Sequence, residues 1–304
     1  MERAYLLPAL IGTALSKSRT LELLMRTLVQ DVRYGLRVLA KRPGFTAAAV
    51  LTLTLGIGSS TVIFSVADGV LLRPLPFPES ERLVALWNDY PQLNDEREPV
   101  SPPDFCDWLE QNRSFAQLAA YEQYFYSLAG NPNPLRLRAA RVSGEFFAAL
   151  GVTPVLGRPL LQADDHKGAP RVVVMSYRLW NSRFGSDPSI VGQAVTLNGV
   201  GYIVVGIMPA GFDYPGDIDL WSPLAYEPPF EPSLRRMIWL RTVARLKPGV
   251  TLAQAQADMS VVAQRLAQQY PETNTGRGVF VVSLHEQTVG DVRTALLVLL
   301  AAVW

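Results

Sequence analysis

The feature that most constrains this sequence is a run of 23 residues, 45–67, without a charged side chain. As an α-helix it would be about 34 Å long, and the hydrocarbon core of a membrane is about 30 Å thick. The alternative is a buried core helix of a soluble protein, but the length and the complete absence of charge argue against it. We therefore predict a transmembrane helix over residues 45–67.

Charge is distributed unevenly around this run. Residues 1–44 carry eight Lys/Arg against three Asp/Glu, whereas residues 73–291 carry 19 against 23. Arg33, Arg37, Lys41 and Arg42 lie just before the run, so the positive-inside rule puts the N-terminus in the cytoplasm and the rest outside. These four cations are our candidates for orientation and for coupling. Asp68, at the outer end, is expected to lie at the membrane interface rather than in a pore.

The first residues allow other interpretations. Arg3, an apolar stretch and the small residues around Ser16 resemble a signal peptide, whose cleavage would export the basic segment. Met25 could instead be the natural start. The sequence decides neither point.

Two finer patterns surround the predicted span. Apolar residues recur at helical spacing over 27–41, which is typical of an amphipathic helix on the membrane surface, or of one packed on protein. Within the span, Thr52, Gly56 and Ser60 recur every four residues and would let another helix approach closely. A lone anchor that merely tolerates small residues would look similar.

A second apolar run, residues 294–304, ends the sequence. Its eleven uncharged residues would reach only about 17 Å, which is too short to cross. It could be a helix or strand that ends the domain. We expect the first half of a second span over 292–304, and hence a piece of a longer protein.

Residues 73–291 alternate strand and helix patterns without a strict βαβ period, which indicates an α+β fold. Prolines over 73–78 predict a stiff, extended exit from the membrane. Ser101, Ser143, Ser176 and Thr251 are each placed to cap a helix. A helix from 252 would bury one face, with Tyr270 at its end and Pro271 stopping it. Asn198-Gly199 between two apolar runs predicts a β-hairpin.

Catalytic motifs are absent from the sequence: there is no phosphate-binding loop, no dinucleotide fingerprint, no HExxH and no nucleophile elbow. Asp164-Asp165-His166 is more simply a solvated loop than a metal site. His285-Glu286 is expected to have a structural or surface role, and Cys106 to be a packed thiol. We predict no catalytic, cofactor-binding or metal-ligating residues. The basic N-terminus beside a membrane favours anionic lipid over nucleic acid as a partner.

Several motifs in fixed order resemble MacB/FtsX-type ABC permeases, most of all the large duplicated permeases of acidobacteria. They are QDVRYGLR at 30–37, KRPGFT at 41–46, LTLGIG at 53–58, LLRPLPF at 71–77, VSGEFF at 142–147, GVTPVLGR at 151–158, VGQ at 191–193, LNG at 197–199, VVGI at 204–207 and ARLKPGVT at 244–251. The likeness covers residues 29–304, and no single motif is diagnostic.

The resemblance implies a four-span permease half with a periplasmic core domain over 73–291. That domain would have a porter-like α+β part and an inserted, mainly β lobe at about 151–232. Its expected partners are a separate ABC-type ATPase, a second permease copy or half, membrane lipid and a periplasmic substrate or envelope protein. Such proteins transmit the ATPase cycle across the membrane as motion.

We therefore expect a non-catalytic permease subunit of the bacterial inner membrane. The alternative is a single-span, membrane-anchored periplasmic sensing or binding module, which requires residues 294–304 to pack within the domain. An anchored enzyme ranks third, because the nucleophile, metal and cofactor motifs are missing.

Overall fold

The computed structural model describes residues 30, 33–35, 37, 39–67, 74–90, 95–129, 134–290 and 298. These fall into two units: one holds the described residues up to 67 together with residue 298, and the other holds residues 74–290. Asp68, the proposed signal peptide and, apart from Val298, the second apolar run lie outside the described residues.

The first unit contains helix α1, Pro43–Ala67, which has no acidic residue in its first turn and no basic residue in its last. Thr52 and Thr61 donate their hydroxyls to the carbonyls of Ala48 and Ile57, at 2.8 and 2.7 Å, so these polar groups are satisfied within the helix. Residues 33–35, 37 and 39–40 are also helical, as their apolar spacing predicts.

Among the residues that the structure describes, no helix is both long enough and apolar enough to cross a membrane. The predicted span over 45–67 is therefore not confirmed and stays a prediction.

The second unit is built on one mixed sheet with the strand order β11-β1-β10-β3-β4-β9-β6-β8-β5. β2 pairs with β1, and β7 pairs with β3 and β8. The pairs β4–β9 and β6–β8 are parallel and the other pairs are antiparallel. The strands are β1 Leu83–Tyr90, β2 Asp95–Glu98, β3 Phe115–Leu128, β4 Leu135–Val142, β5 Leu156–Gly157, β6 Val172–Met175, β7 Ala194–Leu197, β8 Val200–Ile207, β9 Leu220–Pro223, β10 Arg241–Leu246 and β11 Gly278–Ser283.

Helices cover this sheet, which confirms the α+β prediction. They are α2 Pro102–Gln111, α3 Phe146–Leu150, α4 Tyr177–Phe184, α5 Leu252–Gln269 and α6 Pro271–Asn274. Residues 284–290 are also helical. The predicted limits of the inserted lobe, 151–232, enclose β5 to β9 and stay a prediction.

The sheet is buried on both faces near its middle. Along β1, Leu83 and Ala85 belong to a core that contains α3, whereas Val84 and Leu86 belong to a core beneath α2 and α5. A third core lies under α4, where Trp180 packs with residues of β3, β4 and β6 to β9. Strands buried on both faces are continuously apolar, because neither side meets water.

Local capping signals in the sequence are mostly confirmed. Ser101, Ser176 and Thr251 each accept the backbone amide three residues later, at 3.2, 3.1 and 3.2 Å. Asn198 and Gly199 both have positive φ, 50° and 78°, as the tight hairpin between β7 and β8 requires.

Two local predictions are wrong. Ser143 does not cap α3; Glu145 occupies the N-cap position, and the Ser143 hydroxyl accepts the Ala120 amide from β3 instead. Leu109, which the sequence predicts to be buried together with Phe105 and Trp108, is exposed, because it lies on the outer side of α2. The prediction that Pro271 stops α5 is confirmed, since α5 ends at Gln269; Pro271 also starts α6, because proline is well accommodated in the first helical turn.

The described edge of β11 is covered by one side chain of α5. The Oε1 atom of Gln256 accepts the Val281 amide at 2.8 Å, and its Nε2 donates to the Val279 carbonyl at 2.6 Å. A side-chain amide presents the same donor and acceptor as a neighbouring strand. Gln256 therefore occupies the hydrogen-bonding positions at which another strand would pair.

Candidate coupling site where the chain enters the core domain

The core domain begins with a proline-rich entry segment, residues 74–82. Pro74, Pro76 and Pro78 alternate with Leu75 and Phe77, which are half-buried against the core cluster that contains α3. The segment is stiff, because each proline fixes its own φ. It is not simply extended as predicted, since the Phe77 amide bonds back to the Leu75 carbonyl at 2.7 Å. The bend directs Phe77 into the domain.

Phe77 attaches the entry segment through aromatic contacts. Its ring meets Phe212 and Tyr214 edge-on, with centroids 6.4 and 5.8 Å away. Tyr214 in turn contacts Tyr121 of β3 and Phe146 of α3. Such pairs contribute about 0.5–1.5 kcal/mol each beyond the area they bury. The ring therefore connects the entry segment to the middle of the sheet.

Arg245, near the end of β10, makes the second attachment. Its guanidinium donates from Nε to the Ala149 carbonyl at 2.9 Å, from Nη2 to the Pro78 carbonyl at 2.9 Å and from Nη1 to the Glu79 carbonyl at 3.3 Å. Burial, followed by the nearby charge of Arg82, lowers the pKa of Arg245. One buried side chain thus joins β10, α3 and the entry segment.

Two further residues, Arg82 and Gly151, add to the contacts of Phe77 and Arg245. We call these four residues together the entry joint. Arg82 donates from Nε and Nη2 to the Leu246 carbonyl, at 3.0 and 2.7 Å, and pairs with the Glu79 carboxylate. Gly151, which ends α3, has φ of +70°, and a Cβ there would lie 3.2 Å from Nη2 of Arg245. A glycine is favoured at this position on both counts.

The joint contains no arrangement suited to bond chemistry. Its polar contacts are arginine donors on carbonyl oxygens and on the Glu79 carboxylate, and most of its other side chains are apolar. A displacement of the entry segment would have to carry β10 with it or break several of these contacts together.

The acidic loop considered as a metal site has other roles. Asp164 forms a two-pronged ion pair with Arg158, at 2.6 and 2.9 Å. Asp165 accepts the Gly144 and Ala225 amides, at 3.0 and 2.6 Å, and burial raises its pKa. The expectation of a solvated loop is therefore wrong for both carboxylates, which hold loops together, while His166 is exposed. No group of three potential ligands is found among the described residues.

The sequence profile of the MacB-like periplasmic core domain matches residues 46–262, which is more than half of the chain. The chain belongs to this family. The resemblance inferred from the sequence motifs is thereby confirmed, and the MacB-like core is the periplasmic domain of an ABC-type transporter permease family. The matched range also includes most of α1.

A solved structure supports the fold of the MacB-like core. A domain of a protein described as a permease, from Porphyromonas gingivalis, superimposes with a TM-score of 0.52 at 14% identity, covering 68% of this chain and 93% of that one.

Two other solved structures resemble this chain less. The periplasmic region of MacB from Actinobacillus actinomycetemcomitans has a TM-score of 0.49 at 13% identity, over 76% of this chain and 97% of that one. The extracellular domain of the ABC-type transporter YknZ from Gram-positive bacteria has a TM-score of 0.46 at 13% identity, over 65% and 99%. No curated protein matches the chain.

The residues proposed for orientation and packing lie in the first unit. Arg33, Arg37, Lys41 and Arg42 are all exposed. Thr52 and Gly56 are exposed on α1, and a Cβ at Gly56 would meet no atom within 4 Å. Ser60 is helical. Their proposed roles stay predictions.

The remaining candidates belong to the MacB-like core. Cys106 is half-buried on α2, as expected, and burial raises the pKa of its thiol to about 11. His285 and Glu286 lie in the helical stretch 284–290 that follows β11.

Sequence reasoning did not identify Arg245 or Phe77. A usable signal was available for Arg245, which is the one polar residue among the last four of its strand, Arg241–Leu246. A charge on a buried strand face must find partners.

Proposed function

We propose that this chain is a non-catalytic permease subunit of an ABC-type transporter, in which the MacB-like core is moved by a separate ATPase. The observation that supports the proposal best is the joint at the entry segment. Phe77 and Arg245 fasten the chain to the sheet as soon as the core begins. Motion that reaches Pro74 would therefore displace the whole sheet.

The proposal includes the membrane crossing that the sequence predicts over residues 45–67. These 23 residues carry no charge, and as a helix they would be about 34 Å long. With the basic segment 1–44 in the cytoplasm, the core over 73–291 lies in the periplasm and the protein resides in the inner membrane. The small residues Thr52, Gly56 and Ser60 would face a helix of the same subunit or of a second permease copy.

The four cations before α1 would have two roles in this arrangement. They hold the N-terminus on the cytoplasmic side, and they offer a basic surface to the ATPase and to anionic lipid. The core would act on a periplasmic substrate or an envelope protein. In this proposal the separate ATPase hydrolyses ATP, and this chain catalyses no reaction.

Topology is tested by single-cysteine labelling in intact cells, with Cys106→Ala as background. A membrane-impermeant maleimide should label Lys167→Cys, an exposed core position, without permeabilisation. It should label Arg37→Cys only after permeabilisation. Equal labelling of both positions in intact cells would contradict the crossing.

Coupling is tested by purifying the tagged chain from native membranes and quantifying a co-purified protein that carries a phosphate-binding loop. Reversing all four charges, R33E/R37E/K41E/R42E, should remove that protein or invert the labelling pattern. The matched control reverses two exposed core cations, R183E/R265E, and should change neither the co-purified protein nor the labelling pattern.

If the fourfold reversal changes nothing, the assignment of these residues is wrong. If the crossing holds but no ATPase associates with the wild type, the single-span anchored module is the better description.

A further inference from the structure

A groove of about 720 Å³ lies on the MacB-like core, away from the joint. Its walls come from α2, from the turn Pro232–Arg236 and from the junction of α5 with α6. We call it the α2 groove. Its volume lies within the roughly 300–1,000 Å³ that ligand-binding clefts enclose.

The groove is held open by a buried ion network. The Arg235 guanidinium in its lining is 2.6 Å from Asp104 and 2.7 Å from Asp107, and it lies 3.7 Å from the centre of the Tyr270 ring. Arg277 binds the other oxygen of Asp104 at 2.7 Å. Because α2 and the turn Pro232–Arg236 are tied together through these charges, the groove does not have to form on binding.

The charges of this network cancel, but those of the rim do not. Asp104 and Asp107 balance Arg235 and Arg277, and Arg236 is balanced by Glu272, 4.0 Å away. Glu110 and Glu231 also line or border the groove, and within the described part of the chain neither has an ion-pair partner at 4 Å or less. The groove therefore presents an excess of two negative charges.

The remaining walls are largely apolar. Phe230 and Tyr270 are half-buried, and Pro228, Pro232 and Pro271 stand around the opening. Ser233 and Gln269 add hydrogen-bonding groups along the same lining. An occupant that satisfies all of these features has apolar side chains, backbone amides and a positive charge.

We propose that the α2 groove docks a basic, apolar peptide segment of a partner protein. Lysine or arginine side chains of the segment face Glu110 and Glu231, and its apolar side chains rest on Phe230 and the prolines. This docking surface is separate from the entry joint, so it does not depend on coupling to an ATPase.

The test is fluorescence anisotropy with the full chain in an uncharged detergent. The probe is a fluorescein-labelled octapeptide of alternating lysine and leucine. The variant E110Q/E231Q should bind it about fivefold more weakly, since two partly screened charge pairs are lost. The matched control E81Q/D213N removes the same charge from exposed sites outside the groove and should bind like the wild type.

Two further peptides test separately whether apolar side chains and positive charge are needed for binding. A lysine–serine octapeptide should bind more weakly than lysine–leucine, and a glutamate–leucine octapeptide should not bind. Unchanged affinity in E110Q/E231Q, or equal binding of the lysine–serine or glutamate–leucine peptide, would overturn the proposal. Sedimentation of the free chain checks for a second copy as the occupant: self-association that is lost in E110Q/E231Q would also overturn it.

Discussion

Asp104 and Arg235 form an ion pair that is almost withdrawn from solvent, with 1% and 11% of their side chains exposed and 2.6 Å between the charged atoms. Asp104 also accepts from Asn274 and from the Ser101 hydroxyl. Breaking a buried pair leaves an uncompensated charge, which costs about 3–5 kcal/mol.

Asp104→Asn should therefore lower the free energy of unfolding by about that amount. Urea unfolding followed by tryptophan fluorescence measures it, with the exposed Asp213→Asn expected within about 0.5 kcal/mol of the wild type. Equal midpoints for both variants would refute this role of Asp104.

Arg245→Met should loosen the entry segment more than it unfolds the sheet. The variant keeps an apolar stem but leaves the carbonyls of Pro78, Glu79 and Ala149 without their donor, at a cost of about 2–4 kcal/mol. Hydrogen exchange should accelerate over residues 77–82 while Val243 stays protected. Uniform acceleration across β10 would show that Arg245 supports the core as a whole. Arg245→Lys should restore part of the protection, since it keeps a charged donor.

Two glycines on β8 should respond very differently to alanine. A Cβ at Gly206 would lie inside contact distance of the Arg158 carbonyl oxygen and 3.2 Å from Pro154, whereas a Cβ at Gly201 meets nothing within 4 Å. Overpacking of this kind costs about 1–3 kcal/mol. Gly206→Ala should thus lower the melting temperature, and Gly201→Ala should leave it equal or slightly higher. A melting temperature for Gly206→Ala as high as that for Gly201→Ala would argue against the close approach of β5 and β8.

Acid should weaken the domain partly through Asp164. Burial alone would raise the pKa of Asp164, but the hydrogen bonds from Arg158 and the Leu161 amide, with the Arg158 charge, outweigh it and lower the pKa. The unfolded carboxyl titrates near pH 3.9, so the pair's contribution is complete above about pH 5 and is lost as pH falls through the lower folded pKa. Asp164→Asn should flatten the dependence of the urea midpoint on pH below about pH 5. An unchanged slope would exclude Asp164 as a source of acid sensitivity.

The features that the sequence predicts correctly involve residues close together along the chain. The caps at Ser101, Ser176 and Thr251 and the turn at Asn198-Gly199 depend on residues within a few positions of one another. The joint depends on contacts between Arg245 and Pro78, 167 residues apart, and no periodicity reports such pairing. Asp165 was misjudged for the same reason, because its partner amide at Ala225 lies 60 residues away.

The amide of Gln256 has a consequence for how copies of this domain can meet. With the Val279 carbonyl and the Val281 amide already engaged, a strand from another chain finds no free ladder there. Two domains held side by side at this margin could pair through these two groups only if the Gln256 side chain first moved away. With Gln256 in place, a contact at these two positions would lack the strand-to-strand hydrogen bonds that restrict sliding and tilting.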